Sequence, residues 1–502
     1  MSKSLTNPQF TASAFIVCAI GFGLVPLFWF VMGFDGLQSL RFDQGIFSVL
    51  LFTLKQALFS TLISIGLGMF AARALVRREF LGKRLLLSLF AVPFATPAIV
   101  AVLGVSALYG AQGWIGGWFN IYGLAGILLV HVFFNLPLAT KIFYEALSGV
   151  APESFRLAAQ LSFSNFEVFW HLEWPALRGV LHGTASLIFL LCAASFVVVL
   201  TLGGPTATTL EVAIYQALRM DFDVGRALAL SLLQIVLCLV LVTFAARSVL
   251  QHGQAAQIKY TVLRYDGRSF LACITDGMAI IVAMAIVLPP LLMIVIAGLP
   301  HVAMSGTTLA AAGFSLVVGS LAAMLALLLA WPLAQMRHVA AQGLALAGLI
   351  VPPAVLATGW FLALKGFDTG LLVTLLVIIT LNGLMALPFA VAVLRARFSL
   401  LGVSHDRLCQ QLGLQGWDRF RQIDLPFMQP ALRQAGLLAF VMSLGDLTAV
   451  TLLGSQGLIT LPGLIHQQMG NYRSNAAAGT ALILALACYG LAVVAQRGEK
   501  IR

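Results

Sequence analysis

The sequence predicts an all-α integral membrane protein with twelve transmembrane helices arranged as two parallel six-helix repeats, and three observations carry that prediction. Of the 502 residues, 60% are hydrophobic and 9% charged, whereas a soluble domain carries about 25% charged residues. The apolar runs are long and unbroken, as spanning helices require, and do not alternate as barrel strands would. Two polar stretches repeat each other at a spacing of 251 positions, half the chain length. A surface with so few charges must face lipid over most of its area.

Composition closes several other classes. The net charge is +11, but the basic residues sit in short loops between apolar segments, the positive-inside pattern, so no nucleic-acid partner is expected. Cys18, Cys192, Cys238, Cys273, Cys409 and Cys488 lie mostly within apolar runs without metal-ligand spacing, and read as small buried hydrophobes. The first apolar run, roughly 12–33, is too long for a cleavable signal and reads as a first membrane helix. No G-x-x-x-x-G-K-[ST] loop wraps a phosphate. Neither a metal cluster nor a nucleophile triad at membrane depth suggests an embedded enzyme.

Hydropathy places six spans in the first half, near 12–33, 46–72, 86–109, 122–143, 179–202 and 227–249. Six more lie near 273–298, 308–335, 342–364, 370–394, 432–454 and 477–496. The domains are therefore a first membrane half (1–250), a polar linker (251–272) and a second membrane half (273–502). Lys and Arg concentrate in alternate loops, around Arg73, Arg77, Arg78, Lys83 and Arg84, in the polar islands, in the linker and in the tail. That side is expected to be cytoplasmic, with both termini inside. An even number of spans per half makes the halves parallel copies about an axis along the membrane normal.

Residues 156–161 (Arg-Leu-Ala-Ala-Gln-Leu) recur at 407–412 (Arg-Leu-Cys-Gln-Gln-Leu). Phe166, Phe169, Leu172 and Pro175 recur as Trp417, Phe420, Ile423 and Pro426, again 251 positions on. Leu136-Pro137, Gly203 and Thr209-Leu210 recur with the same spacing, while Pro97–Ala101 recurs at Pro353–Ala357 with a slightly longer one. These matches indicate an internal repeat. Within each island, Leu157/Leu161 and Phe166/Phe169/Leu172 fall on single helix faces, as do their counterparts. Each island thus reads as two short amphipathic helices around a break, at Ser162–Asn165 or Gly413–Gly416, with Pro175 and Pro426 marking the return to the membrane. Such helices can lie on the lipid interface or pack on their own bundle. Duplication favours a third reading, because helices that fit two equivalent pockets must share sequence.

The islands resemble the cytoplasmic signature loop of bacterial binding-protein-dependent ABC importer permeases, in which Glu-Ala-Ala leads to a glycine and an Ile-x-Leu-Pro-like end. Here the ends are His171-Leu172-Glu173-Trp174-Pro175 and Gln422-Ile423-Asp424-Leu425-Pro426. The glycine is Gly413 in one half and Ser162 in the other, and Arg156 and Arg407 stand in place of the glutamate. The resemblance implies a type I importer permease fold whose loops couple to a homodimeric ABC ATPase subunit through Leu161, Ser162, Phe163, Leu412, Gly413 and Leu414. Phe166, Phe169, Trp417 and Phe420 would support them beside Arg156 and Arg407. It also implies a periplasmic substrate-binding protein touching the outer loops (203–226 and 454–474). ATP and Mg would belong to the ATPase, with no cofactor or metal on this chain. Fused halves are similar to the thiamine and ferric-iron importer permeases. Residues 131–137 (His-Val-Phe-Phe-Asn-Leu-Pro), 213–218 and 467–474 resemble the thiamine permeases, which implies thiamine or its phosphate esters as cargo.

Asp446 is the carboxylate placed well inside a predicted span, with Ser195 as its first-half counterpart. A charge at that depth costs a few kcal/mol unless water, a cation or a partner meets it. Asp446 and Ser195 are therefore candidate lining of a translocation path that favours a cationic solute, or Asp446 makes a structural hydrogen bond at a kink by Gly445. His131, with no second ligand at useful spacing, reads as a core residue. A secondary carrier with two six-helix halves would need more intramembrane ionisable groups and no duplicated docking loop. The expected motion is rocking of one half against the other.

Overall fold

The computed structural model describes residues 8–32, 44–111, 113–116, 120–204, 207–252, 264–267, 269–336, 343–364, 370–400, 409, 411–414, 416–454 and 458–497. Regular structure among them is helical throughout. Helices face lipid and protein by an inverted rule. Along Gln44–Arg77, Thr53, Gln56, Ala57, Ser60, Ser64, Gly68, Ala71 and Ala72 turn inward, while Phe47, Leu51, Leu62 and Phe70 face out. Small inward residues allow close helix contact, which drives association where lipid is as apolar as any side chain. Gly68 sits against Ala139 and Thr140 of Leu124–Ser148 at such a crossing.

Eight helices among the described residues are long and apolar enough to cross a membrane, and a ninth crossing arises if the pair Lys83–Ala95 and Ala98–Tyr109, bent by 113°, counts as one. Among the described residues, several of the twelve expected spans are broken. Pro97 pushes Thr96 into an extended conformation and ends one helix before the next begins. Val351 is extended before Pro352-Pro353 in the same way, so the expected span 342–364 divides into Ala347–Ile350 and Pro353–Leu364. The expected span 179–202 divides into Trp174–Ala193 and Val197–Leu202, and 432–454 divides into Leu425–Leu444 and Thr448–Leu453. From residue 165 to 219, helix bounds reappear 251 positions later with hardly a change, ending on Leu210–Arg219 and Leu461–Gly470.

The opening helix of each half packs on the other half. Pro8–Met32 lies against Pro353–Leu364 and Gly306–Gln335, and Phe270–Gly298 lies against Ala98–Tyr109 and Gln44–Arg77. Glycines set both crossings. A methyl group on Gly359 would overlap the Gly23 carbonyl, and one on Gly104 would fall 2.6 Å from the Pro290 carbonyl oxygen. Beside the first crossing the Trp360 indole donates to the Ala19 carbonyl at 3.2 Å. A continuous core then joins the halves, from Ile99, Phe133 and Phe196 to Leu444, Leu447 and Leu464.

Gly359→Val should push Pro8–Met32 off its seat and cost about 2 kcal/mol, the usual scale of overpacking. Gly313→Ala, whose new methyl meets open space, should leave the melting temperature of the detergent-purified protein unchanged. Thermal unfolding of the two variants side by side checks this.

Candidate coupling loops and central cavity

The first polar island is helical from Pro152 to Gln160, with Phe155 and Ala158 buried. It stops at Ser162, whose φ of 56° is left-handed. The Phe163 N–H donates to the Ala158 carbonyl at 3.0 Å and the Ser162 N–H to Ala159 at 3.1 Å, a pattern that satisfies carbonyls orphaned at a helix C-terminus. In the second island Gly413 takes a φ of 66° and the Leu414 N–H donates to the Cys409 carbonyl at 2.9 Å. The two turns are therefore the same turn, at positions 251 apart. Glycine adopts that conformation freely, whereas serine bears a steric cost.

Ser164 then caps Asn165–Val168, exchanging hydrogen bonds with Glu167 in a capping box. The corresponding helix is Gly416–Arg419. The expectation of a separate second helix is corrected here. Both short helices continue through π-helical turns, Phe169–Glu173 and Phe420–Asp424, into Trp174–Ala193 and Leu425–Leu444. Pro175 and Pro426 sit in the first turn beyond. Proline has no N–H for the carbonyl four residues back, and a widened turn just before it accommodates that loss.

The candidate coupling residues divide into two sets. Leu161, Phe166 and Leu412 are exposed large apolar groups, at 58%, 71% and 60% of their full areas, and Arg156, Ser162 and Gly413 lie exposed beside them. Phe163, Phe169, Leu414 and Phe420 are half-buried and hold the loops in place. The Phe169 ring lies 5.0 Å from the Arg73 guanidinium, and Phe420 meets Trp331 edge-on at 5.4 Å. Arg407 lies outside the described residues, as does the side chain of Trp417.

At the other candidate site, Ser195 and Asp446 line one cavity of about 300 Å³, together with Ala98, Asn382 and Met442. The cavity forms where broken spans from both halves meet, with Gly445 packed closely on Pro97. Asp446 accepts the N–H groups of Thr448 and Ala449, both at 3.1 Å. It thereby caps Thr448–Leu453 and sits at the positive end of that helix. The cap and the cavity wall are the same carboxylate. Nearby, the Asn382 amide donates to Ser443 at 2.9 Å. His131 is buried and lies 3.1 Å from the Ser60 hydroxyl, a core placement. Among the described residues no group of three or more His, Cys, Asp or Glu side chains could hold a metal ion.

Several buried carboxylates escaped sequence reasoning. Glu211 is wholly buried on Leu210–Arg219, 3.4 Å from the Gln234 amide. Its spacing to Ile214 and Leu218 on one helix face was the signal. Glu173 and Asp276 are buried as well, and both pair with arginines distant in sequence, which no local pattern announces.

Residues 64–252 match the family described as binding-protein-dependent transport system inner membrane component. Over nearly the whole chain the sequence is similar to curated permeases. A thiamine transport system permease protein of Brucella abortus (strain 2308) is 37% identical over 94% of this chain and 90% of its own. That of Escherichia coli (strain K12) is 38% identical over 96% and 94%, and that of Haemophilus influenzae 36% over 89% and 87%.

Asp446→Ala should remove the cap and cost about 1 kcal/mol, while Asp446→Asn, which keeps an acceptor oxygen, should lose less. Melting temperatures of the two variants, compared with the parent, test the ordering.

Proposed function

The chain belongs to the thiamine transport system permease family, and on that premise we propose that it is the membrane subunit of an ATP-driven importer carrying thiamine or its phosphate esters. It is a multi-pass transport component, not an enzyme. In this reading a periplasmic binding protein delivers the cargo to the outer face, and a homodimeric ATPase docks on the cytoplasmic face, where both termini also lie. Twelve crossings, several of them broken, form two related six-helix halves.

The observation that carries the reading is the pair of matched left-handed turns at Ser162 and Gly413, each beside an exposed leucine, Leu161 or Leu412. Matched shape and matched apolar groups suit two equivalent sockets on a two-fold symmetric motor. Anchoring by Phe169 and Phe420 lets a push on the turn reach the membrane helices, since each loop is continuous with one of them. ATPase closure would draw the loops together and rock the halves about the cavity that holds Ser195 and Asp446. A carboxylate at that depth favours the thiazolium cation of thiamine, and Asp446 serves there without giving up its cap.

In cells lacking this chain, uptake of labelled thiamine should be lost and uptake of ferric iron kept. Loss of iron uptake with thiamine uptake intact would overturn the substrate assignment. Leu161→Asp and Leu412→Asp should each weaken ATPase association roughly tenfold, an energy of about 1.4 kcal/mol, measured by co-purification at graded ATPase concentrations. Asp446→Asn should lower thiamine uptake while leaving ATPase assembly unchanged. Undiminished uptake would leave Asp446 with its capping role alone.

A further inference from the structure

The linker between the halves is polar, yet where it rejoins the described chain it is buried beneath the first coupling loop. Arg264 and Asp266 are only 6% and 2% exposed. The Arg264 guanidinium donates to Glu173 at 2.5 Å and to Asp266 at 2.7 and 2.9 Å, and lies 4.3 Å from the centre of the Phe155 ring. Glu173, in the π-helical turn, also accepts from Arg73 at 2.5 Å. The Tyr265 hydroxyl donates to the Phe163 carbonyl at 3.1 Å, at the edge of the left-handed turn itself. On the far side of the linker, Asp266 pairs with Arg77 at 2.7 Å. Arg78 donates to the Gly267 carbonyl at 2.6 Å and to Asp276 at 2.9 Å. Asp276 belongs to Phe270–Gly298, the helix that opens the second half.

Four arginines and three carboxylates thus interleave, with Arg77, Arg264 and the carboxylates buried and Arg73 and Arg78 half-buried at the rim. Removing one member of such a cluster strands another buried charge, which makes the arrangement demanding of geometry even where its net stabilisation is small. Burial opposes ionisation of Asp266, but the Arg264 hydrogen bond and the charges of Arg264, Arg77 and Arg73 outweigh it and hold the carboxyl below its usual range. The stability it contributes is therefore present above the ordinary aspartate range and is lost as pH falls through the depressed value.

The second coupling loop is held otherwise. Asp424 occupies the position equivalent to Glu173, but it is half-buried, and its ion pair among the described residues is Arg419 of the same loop, at 3.5 Å.

We propose that Arg264–Gly267 is a positioning strut that locks the first coupling loop to the opening helix of the second half, so that ATPase motion at that loop passes directly to Phe270–Gly298. Glu173, Arg264, Tyr265 and Asp266 are its positioning residues. The first loop is a braced lever whose movement is shared at once with the linker and Phe270–Gly298. The mechanical consequence rests on the proposed coupling role of the loops; the bracing itself does not.

Hydrogen exchange of the full chain in lipid nanodiscs tests the bracing without any ATPase. Tyr265→Phe, which removes one oxygen from a half-buried ring, should speed exchange at 161–164 roughly tenfold and leave 411–414 unchanged. Glu173→Gln should do the same more strongly, and Asp424→Asn should leave 161–164 unchanged. In the complete importer, Tyr265→Phe should raise the ATP hydrolysed per thiamine imported, and Asp424→Asn should not. No change at 161–164, or an equal response of both turns to Tyr265→Phe, would overturn the strut. An unaltered hydrolysis ratio in the presence of faster exchange would overturn its role in coupling. Failure of the parent chain to bind the ATPase would instead count against the coupling loops and leave the exchange result standing.

Discussion

Backbone hydrogen bonding in lipid is the constraint on which this architecture depends. An open N–H or carbonyl inside a bilayer has no water to turn to, so a helix can break only where protein or a cavity meets the exposed groups. The chain breaks its spans repeatedly, and two of the breaks, at Thr96–Pro97 and at Gly445–Leu447, come together at the junction of the halves. There Asp446 accepts two of the freed N–H groups. The features that make this region costly to build also make it polar, hollow and shared by both halves.

The same constraint shapes the loops at the end of the bundle. The helical stretch of each polar island must finish its hydrogen bonds before it turns, and both islands do so with a left-handed residue. Beyond that residue the chain does not run as free loop; a short helix and a π-helical turn carry it directly into the next membrane helix. Each loop is therefore the end of a long lever. Apolar groups exposed at its tip, Leu161 and Leu412, are paired with aromatic anchors at its base. Exposed tip and anchored base are successive stretches of one continuous chain.

Much of this was legible in the sequence. Long apolar runs pointed to the eight helices among the described residues that are long and apolar enough to cross a membrane, and the 251-residue repeat marked the stretches, Ser162–Asn165 and Gly413–Gly416, at which both left-handed turns fall. Hydropathy could not see the breaks at Thr96, Ala194 or Gly445, since a bend between two apolar helices changes no residue's polarity. Nor could it see which helix packs on which. Pro8–Met32 carries the same apolar signal whether it lies on its own half or on the other. The buried carboxylates were hidden for a related reason. Glu173 and Asp266 sit in stretches that look solvated and Asp276 near the start of an apolar run, and only the folded chain brings Arg73, Arg77, Arg78 and Arg264 to them.

The exchange of opening helices bears on how the protein is made. The Trp360 indole reaches back 341 residues to the Ala19 carbonyl, so the first helix inserts long before its seat exists. At ribosomal speeds the wait is on the order of tens of seconds. In water an unpartnered apolar helix would aggregate; in a bilayer it is already solvated. The lipid thus serves as a holding medium during synthesis, and the order of translation obliges the two halves to mature together.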